Sequence, residues 1–369
     1  MSKPLGLVLA GVLFTLLATA NAAGYRYGGS DQAFYIPAVT RALEPGAFPR
    51  DAALIDAQAR LIVVDDVIAA AARTTGLSTE ALFLLGYLGS MALTWAAIVL
   101  VGRQLYDSPW LIAAFGAVFT LRHRIPQTSA NSFEPYFHPR MLAFALGLLG
   151  VAALLRGRHW LTVALVDVAA VIHTTTALWF AVLLGIALAV RVPLFRALAV
   201  AGAVLAGGVL AWAVAAGPLQ QAWVTMDATW LQAVASKDSL FADEWPAWVW
   251  VANLGMLVVL WVAVLRRERR GASTPADRAL AWGATALTAV FLATLPLVVA
   301  RLSLAVEFQI SRVFWLIDIL ATAYLIGEFE TLARWRPRAV AQVAMLLVAV
   351  SATRALYVDR KSTRLNSSH

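Results

Sequence analysis

Apolar runs long enough to span a bilayer recur along this chain from one end to the other, separated by short polar breaks. The runs fall at residues 4–18, 80–102, 109–121, 140–155, 159–172, 174–190, 197–217, 247–265, 279–300, 311–327 and 339–355. This pattern predicts an all-α fold: a polytopic transmembrane helical bundle of about 10–11 spans, with residues 1–358 forming one integral membrane domain. The first run, behind Lys3 and ahead of Ala20-Asn21-Ala22, suits a secretory signal or a retained first helix. In a chain this hydrophobic the retained helix is favoured, and both readings put Gly24 onward outside the cytoplasm.

Two connections are long, 23–79 and 218–246. The first holds a turn signal at Glu44-Pro45-Gly46 and then the run from Leu61 to Ala72. With Asp65-Asp66 inside it, that run is too short and too charged to span, and it is expected as an amphipathic helix lying at the membrane surface. The second leads through Trp245-Pro246 into Ala247-Trp248-Val249-Trp250, whose indoles are expected to form an interfacial aromatic belt. Segments 109–121 and 159–172 reach only about 20 Å at ~1.5 Å per residue, short of the ~30 Å hydrocarbon core. They read as broken or re-entrant helices, with mis-set boundaries as the alternative.

Charge orients the bundle. Only 14% of residues are charged and mean hydropathy is +0.75, against roughly a quarter charged in soluble domains. Alternating the spans puts Arg103, Arg156, Arg158, Arg191, Arg196, Arg266, Arg267, Arg269, Arg270, Arg334, Arg336 and Arg338 on one side. Asp31, Asp51, Asp65, Asp66, Glu134, Asp238, Asp243, Glu244 and Glu307 fall on the other. The positive-inside rule makes the arginine side cytoplasmic, so the N-terminus is cytoplasmic and the chain is expected in a bacterial inner membrane. Basic residues clustered in loops also argue against nucleic acid as a partner, despite a net charge of +8. The bilayer is the expected partner. No cysteine is present, which excludes thiolate metal sites and Cys nucleophiles.

Residues 359–369 break abruptly from the apolar helix before them and match the translation of a common sequencing-library adapter. They are read as an artefact, with a natural chain expected to continue differently. Three of the 29 basic and one of the 21 acidic residues lie in this tail, leaving a net charge of +6.

The densest polar run, residues 122–140, sits between two apolar helices on the outer side. Its Arg122, Arg124 and Arg140 defy the positive-inside bias. They read either as ligands for an anion such as phosphate, or as internal partners for Glu134 or Asp31. His138 and Arg140 flank Pro139 at a helix start, and His173 precedes Thr174-Thr175-Thr176 at another, with a threonine expected as N-cap. Both ends expose N–H groups and a positive dipole end that suit a phosphate group. Arg301 and Arg312, near Glu307 and Gln309, are further candidates to clamp phosphate. Asp31 has the chemistry of a general base or of a ligand for a divalent cation, or it caps the helix 32–44. Asp167 and Asp318 lie inside spans, where an acid is by default a functional hypothesis with a buried partner; an external arginine is the candidate for Asp318, and none is evident for Asp167. No metal motif such as HExxH occurs.

The early outer-loop motif Gly29-Ser30-Asp31-Gln32 is similar to the layout of the GT-C superfamily of membrane glycosyltransferases. The run Asn131-Ser132-Phe133-Glu134-Pro135-Tyr136-Phe137-His138-Pro139-Arg140-Met141-Leu142-Ala143-Phe144 resembles a group of uncharacterised bacterial multi-span proteins. The GT-C resemblance implies a polyprenyl-phosphate-linked sugar donor used outside the cytoplasm, with Asp31 in catalysis. It departs from that layout at Gln32, where many such transferases carry a second acid; the acidic pair here is Asp65-Asp66. A transporter or flippase working through Asp167 and Asp318 is the alternative reading, and a non-catalytic scaffold the third.

Overall fold

The computed structural model describes residues 3–60, 63–122, 124–237 and 239–366, so His123 and Asp238 lie outside the described residues. Its helices are α1 (Lys3–Asn21), α2 (Gln32–Leu43), α3 (Ala52–Ala59), α4 (Val64–Thr75), α5 (Thr79–Leu105) and α6 (Pro109–Leu121). They continue as α7 (Pro139–Leu155), α8 (His159–Ile172), α9 (Thr174–Arg191), α10 (Pro193–Ala215), α11 (Ala228–Val234) and α12 (Ala247–Arg269). The last are α13 (Pro275–Val299), α14 (Ser303–Glu307), α15 (Val313–Gly327), α16 (Glu330–Trp335) and α17 (Pro337–Asn366). Among the described residues no strand forms, and two isolated bridges, Arg124 with Asn131 and Thr225 with Leu302, are the β contacts.

Among the described residues, seven segments are long and apolar enough to cross a membrane, and four shorter apolar helices accompany them. The chain is therefore an all-α, multi-pass membrane bundle. Both short spans keep the bounds read from sequence, as α6 and α8, so mis-set boundaries do not explain them. At about 21 Å, α8 ends at His173 and α9 begins at the next residue.

Lipid gives helices no hydrophobic reason to associate, so close packing does the work. Gly147 of α7 and Gly283 of α13 let α9 approach from both sides. A Cβ on Gly147 would lie 2.3 Å from the Phe180 ring, and one on Gly283 would lie 2.2 Å from the Leu183 carbonyl oxygen. The core beyond them is aromatic. Trp315 of α15 stacks on Phe144 of α7 at 3.8 Å and 3°, and its indole N–H donates to Ser132 Oγ at 2.8 Å. That bond pins the 122–138 segment to the bundle.

Polar contacts sort the turns into two ends. At the first, Arg267 donates to the Leu105 carbonyl, Arg191 to that of Leu154, Arg270 pairs with Glu328 and Arg334 with Asp107. At the second, the Arg26 amide donates to the Pro135 carbonyl and Ser129 meets Ser239. Here α2, α3 and α4 form a cap: Arg41 grips both oxygens of Asp56 at 2.8 Å, and α4 buries Asp65, Ile68 and Ala69. Its exposed Val67 and buried Ile68 make α4 amphipathic. Of the indoles expected to form an aromatic belt, Trp248 is exposed, whereas Trp245 is not available for one. That indole is buried against Phe291, Trp250 and Phe314, because Pro246 turns the chain inward before α12 begins.

Candidate functional site

The site grows from three chain breaks at the second end. The first is the turn after α1. Gly28 takes a positive φ of 84°, Ser30 one of 49°, and Asp31 starts α2. Gln32, fully buried, clamps this turn: its side-chain oxygen accepts the Gly28 amide at 2.8 Å and its NH₂ donates to the Phe137 carbonyl at 3.1 Å. An acid at 32 could not make the second bond, which gives a physical reason for the Asp-Gln pair.

Asp31 stands at the N-cap position of α2 yet makes no side-chain cap. Its Oδ2 lies 3.0 Å from His138 Nε2 and accepts from the Tyr136 hydroxyl at 3.4 Å, while half of the side chain stays exposed. The capping expectation is thus corrected: with Asp31 itself in helical backbone geometry, its carboxylate turns across to the second break.

That break is the start of α7. His138 caps it, Nδ1 accepting the Arg140 amide N–H at 3.0 Å, while Pro139 fills the first turn. An imidazole nitrogen that accepts an N–H carries no proton, so the proton sits on Nε2 and donates to Asp31. His138 is therefore neutral. Burial pushes its pKa down to about 4, and Arg140 and Arg312 push the same way against Asp31. The His138 bond holds the Asp31 carboxyl down at about 2, against a desolvation effect that raises it.

The third break separates α8 from α9. The cap there is His173 itself rather than a threonine: its Nδ1 accepts the Thr176 amide at 3.3 Å, since its extended backbone turns the ring onto the helix end. The rings of His138 and His173 lie 5.7 Å apart. Burial first, then the charges nearby, lower the His173 pKa to about 3. Tyr35 meets His138 edge-on at 5.5 Å, and burial raises its phenol.

Arginines complete the group. Arg140 pairs with Glu134 at 2.5 Å, both buried, and Asn131 donates to the same carboxylate at 3.2 Å. Arg140 Nε is buried without a partner. Arg312, just before α15, also holds a buried, unpartnered Nε, with Ser311 Oγ and Gln309 Oε1 in the same state beside it. Gln309 takes a positive φ of 47° at this point. Arg312 forms no ion pair among the described residues, though its charge reaches both His138 and His173. Buried polar atoms normally find partners. Two buried guanidinium Nε–H groups and a hydroxyl without partners at one place have the donor chemistry that suits an anion.

The remaining sequence candidates lie elsewhere. Arg122 pairs with Asp318, so these two answer each other. Arg124 is exposed in the bridge to Asn131. Arg301 is corrected as a phosphate ligand: it grips Asp243 at 2.9 Å and Glu244 at 2.6 Å and covers the Phe241 ring, which consumes its donors. Asp167 faces outward from α8 without a hydrogen bond or ion pair among the described residues, as the lack of an evident partner in the sequence had it. Gln32, Tyr35 and Tyr136 are site residues that sequence reasoning did not single out. Among the described residues no three His, Asp or Glu side chains group as a metal site.

The chain matches no family model, and comparison with curated proteins and with solved structures gives no match.

Proposed function

We propose that this chain is a membrane glycosyltransferase of inverting type that takes its sugar from a polyprenyl-phosphate donor at the second end of the bundle. The arginine-rich first end is then cytoplasmic, the N-terminus with it, and the membrane is a bacterial inner membrane. One observation carries the reading: an ionised, half-exposed Asp31 held by His138 shares a site with two buried guanidinium Nε groups, of Arg140 and Arg312, that make no hydrogen bond.

The roles divide by charge. The outer oxygen of Asp31 accepts a hydrogen bond from an acceptor hydroxyl and aims it. As the new bond from the hydroxyl oxygen to the sugar's anomeric carbon forms, the bond from that carbon to the phosphate oxygen breaks. The phosphate leaves with the electron pair and is stabilised by Arg312 and Arg140. With its pKa near 2, Asp31 takes the hydroxyl proton late, once bond formation has made it acidic. His138 has no lone pair to spare, so it positions Asp31 and does not act as a base. Transport through midplane acids draws less support, because Asp318 is already paired with Arg122.

The test is transfer from a radiolabelled panel of polyprenyl-phosphate sugars by purified protein in liposomes. Transfer that Asp31→Asn abolishes supports the proposal. Donors left intact throughout, or transfer indifferent to Asp31→Asn, would overturn it.

A further inference from the structure

Charged residues inside the apolar helices are few, and nearly all are satisfied. Arg140 holds Glu134, Asp318 holds Arg122, Asp277 caps α13 and accepts the Tyr324 hydroxyl, and Arg354 donates to Asn21 and the Leu121 carbonyl. Asp167 differs from all of these. It lies on the face of α8 that also exposes Trp160, Ala164, Val168 and Val171, a stripe at helical spacing that looks away from the bundle. Measured along the axis it sits about 12 Å from the start of α8 and about 8 Å from its end.

An aspartate side chain is short and stays among the apolar residues of that stripe. Its Cβ also tilts toward the helix start, away from the nearer end. A carboxylate that meets lipid is costly and in membrane proteins is almost always paired. Beside it stands another uncovered surface. Helix α10 packs chiefly on α9, buries only Phe195 and Ala213, and leaves Gly202, Gly207 and Gly208 facing open space. Phe195 touches the Trp160 ring at 5.1 Å, so the exposed faces of α8 and α10 adjoin at one end.

We propose that the outer face of α8 is the docking site for a transmembrane helix of a second polypeptide, with a lysine or arginine opposite Asp167. Charge complementarity identifies the occupant. A second copy of this chain would not serve, because the arginine and lysine side chains described for it cluster at helix ends or are engaged within the bundle. The inference is independent of the Asp31 site.

The chain has no cysteine, so Ala164→Cys places a sole thiol one turn from Asp167. The protein is reconstituted in liposomes with a synthetic poly-leucine transmembrane peptide bearing one central lysine and a cysteine one turn away. A matched peptide has leucine in place of that lysine. Under mild oxidation the lysine peptide is expected to form the disulfide about tenfold more than the leucine peptide. Asp167→Asn is expected to erase the preference, and Val251→Cys on the exposed face of α12 to show none. Equal yields from the two peptides, or Ala164→Cys pairing with its own copy in preference to the lysine peptide, would overturn the proposal.

Discussion

His138 Nε2 lies 3.0 Å from Asp31 Oδ2, and the other nitrogen of that ring already accepts a backbone N–H, so the pair is a neutral imidazole donating to a carboxylate. The bond joins the loop after α1 to the start of α7, and an asparagine at 31 keeps its acceptor oxygen for the same donor. Asp31→Asn is therefore expected to fold normally and to lose about 10²–10⁴ of transfer rate. Rate and melting temperature are measured together. A drop in both in equal proportion would make Asp31 structural instead.

The two histidines set the acid limit of stability. Both have folded pKa values, about 4 and about 3, below the unfolded value of 6.5. The unfolded chain thus binds more protons between those values, and stability falls as pH drops from 6.5 toward 4. Each histidine contributes a slope of at most about 1.4 kcal/mol per pH unit. Asp31, with a folded pKa near 2 against 3.8, contributes stability that is present above pH 3.8 and is lost as pH falls toward 2. Melting temperature in detergent should be flat above pH 7 and decline below 6.5. In His138→Gln the decline should be shallower. A wild-type curve level down to pH 4 would contradict the neutral assignment.

Arg312 and Arg301 separate binding from folding. The Arg312 Nε has no partner, whereas Arg301 holds two carboxylates. Arg312→Gln should raise KM for a phosphate-linked donor about tenfold to a hundredfold, the worth of one hydrogen bond to a charged group, with little change in melting temperature. Arg301→Gln should do the reverse. Titration of donor concentration against both variants decides it.

Much of this was legible in the chain, and the misses have physical causes. Apolar run lengths gave every long helix, including the short bounds of α6 and α8, because hydrocarbon tolerates few alternatives to a helix. Clustering of Asp31, His138, Arg140 and His173 near helix starts was also readable, since Pro139 and the threonine run mark those starts. Side-chain direction was not. Whether Arg301 faces Asp243 or a ligand depends on a tertiary fold of the 218–246 segment that no local periodicity encodes. Gln32 looked like a failed acid, and only its bonds to Gly28 and Phe137 reveal a clamp.

Arg122 and Asp318 should behave as one unit. Asp318 is buried while Arg122 is half-exposed, so removing the arginine strands a carboxylate in the core. Arg122→Met alone is expected to cost about 3 kcal/mol, toward the lower end of values for broken buried pairs. Adding Asp318→Leu should recover most of that loss. Denaturation of the two single variants and the double measures the coupling, and purely additive effects would show that the pair is not a unit.

The packing of α9 on α13 makes the sharpest prediction about the scaffold. Leu183 belongs to α9, and its carbonyl oxygen would sit 2.2 Å from a methyl on Gly283, with the carbonyl carbon at 3.0 Å. Both are backbone atoms, so no rotamer change relieves the clash and the helices must separate. Overpacking of this kind costs about 1–3 kcal/mol, and Gly283→Ala should lose at least that much in unfolding experiments. Gly255→Ala on α12 is the control: a Cβ there meets nothing within 4 Å, and alanine is the better helix former. The same methyl group should therefore destabilise at 283 and leave stability unchanged or raised at 255. Equal effects at both positions would mean that α9 and α13 do not approach as closely as the carbonyl contact requires.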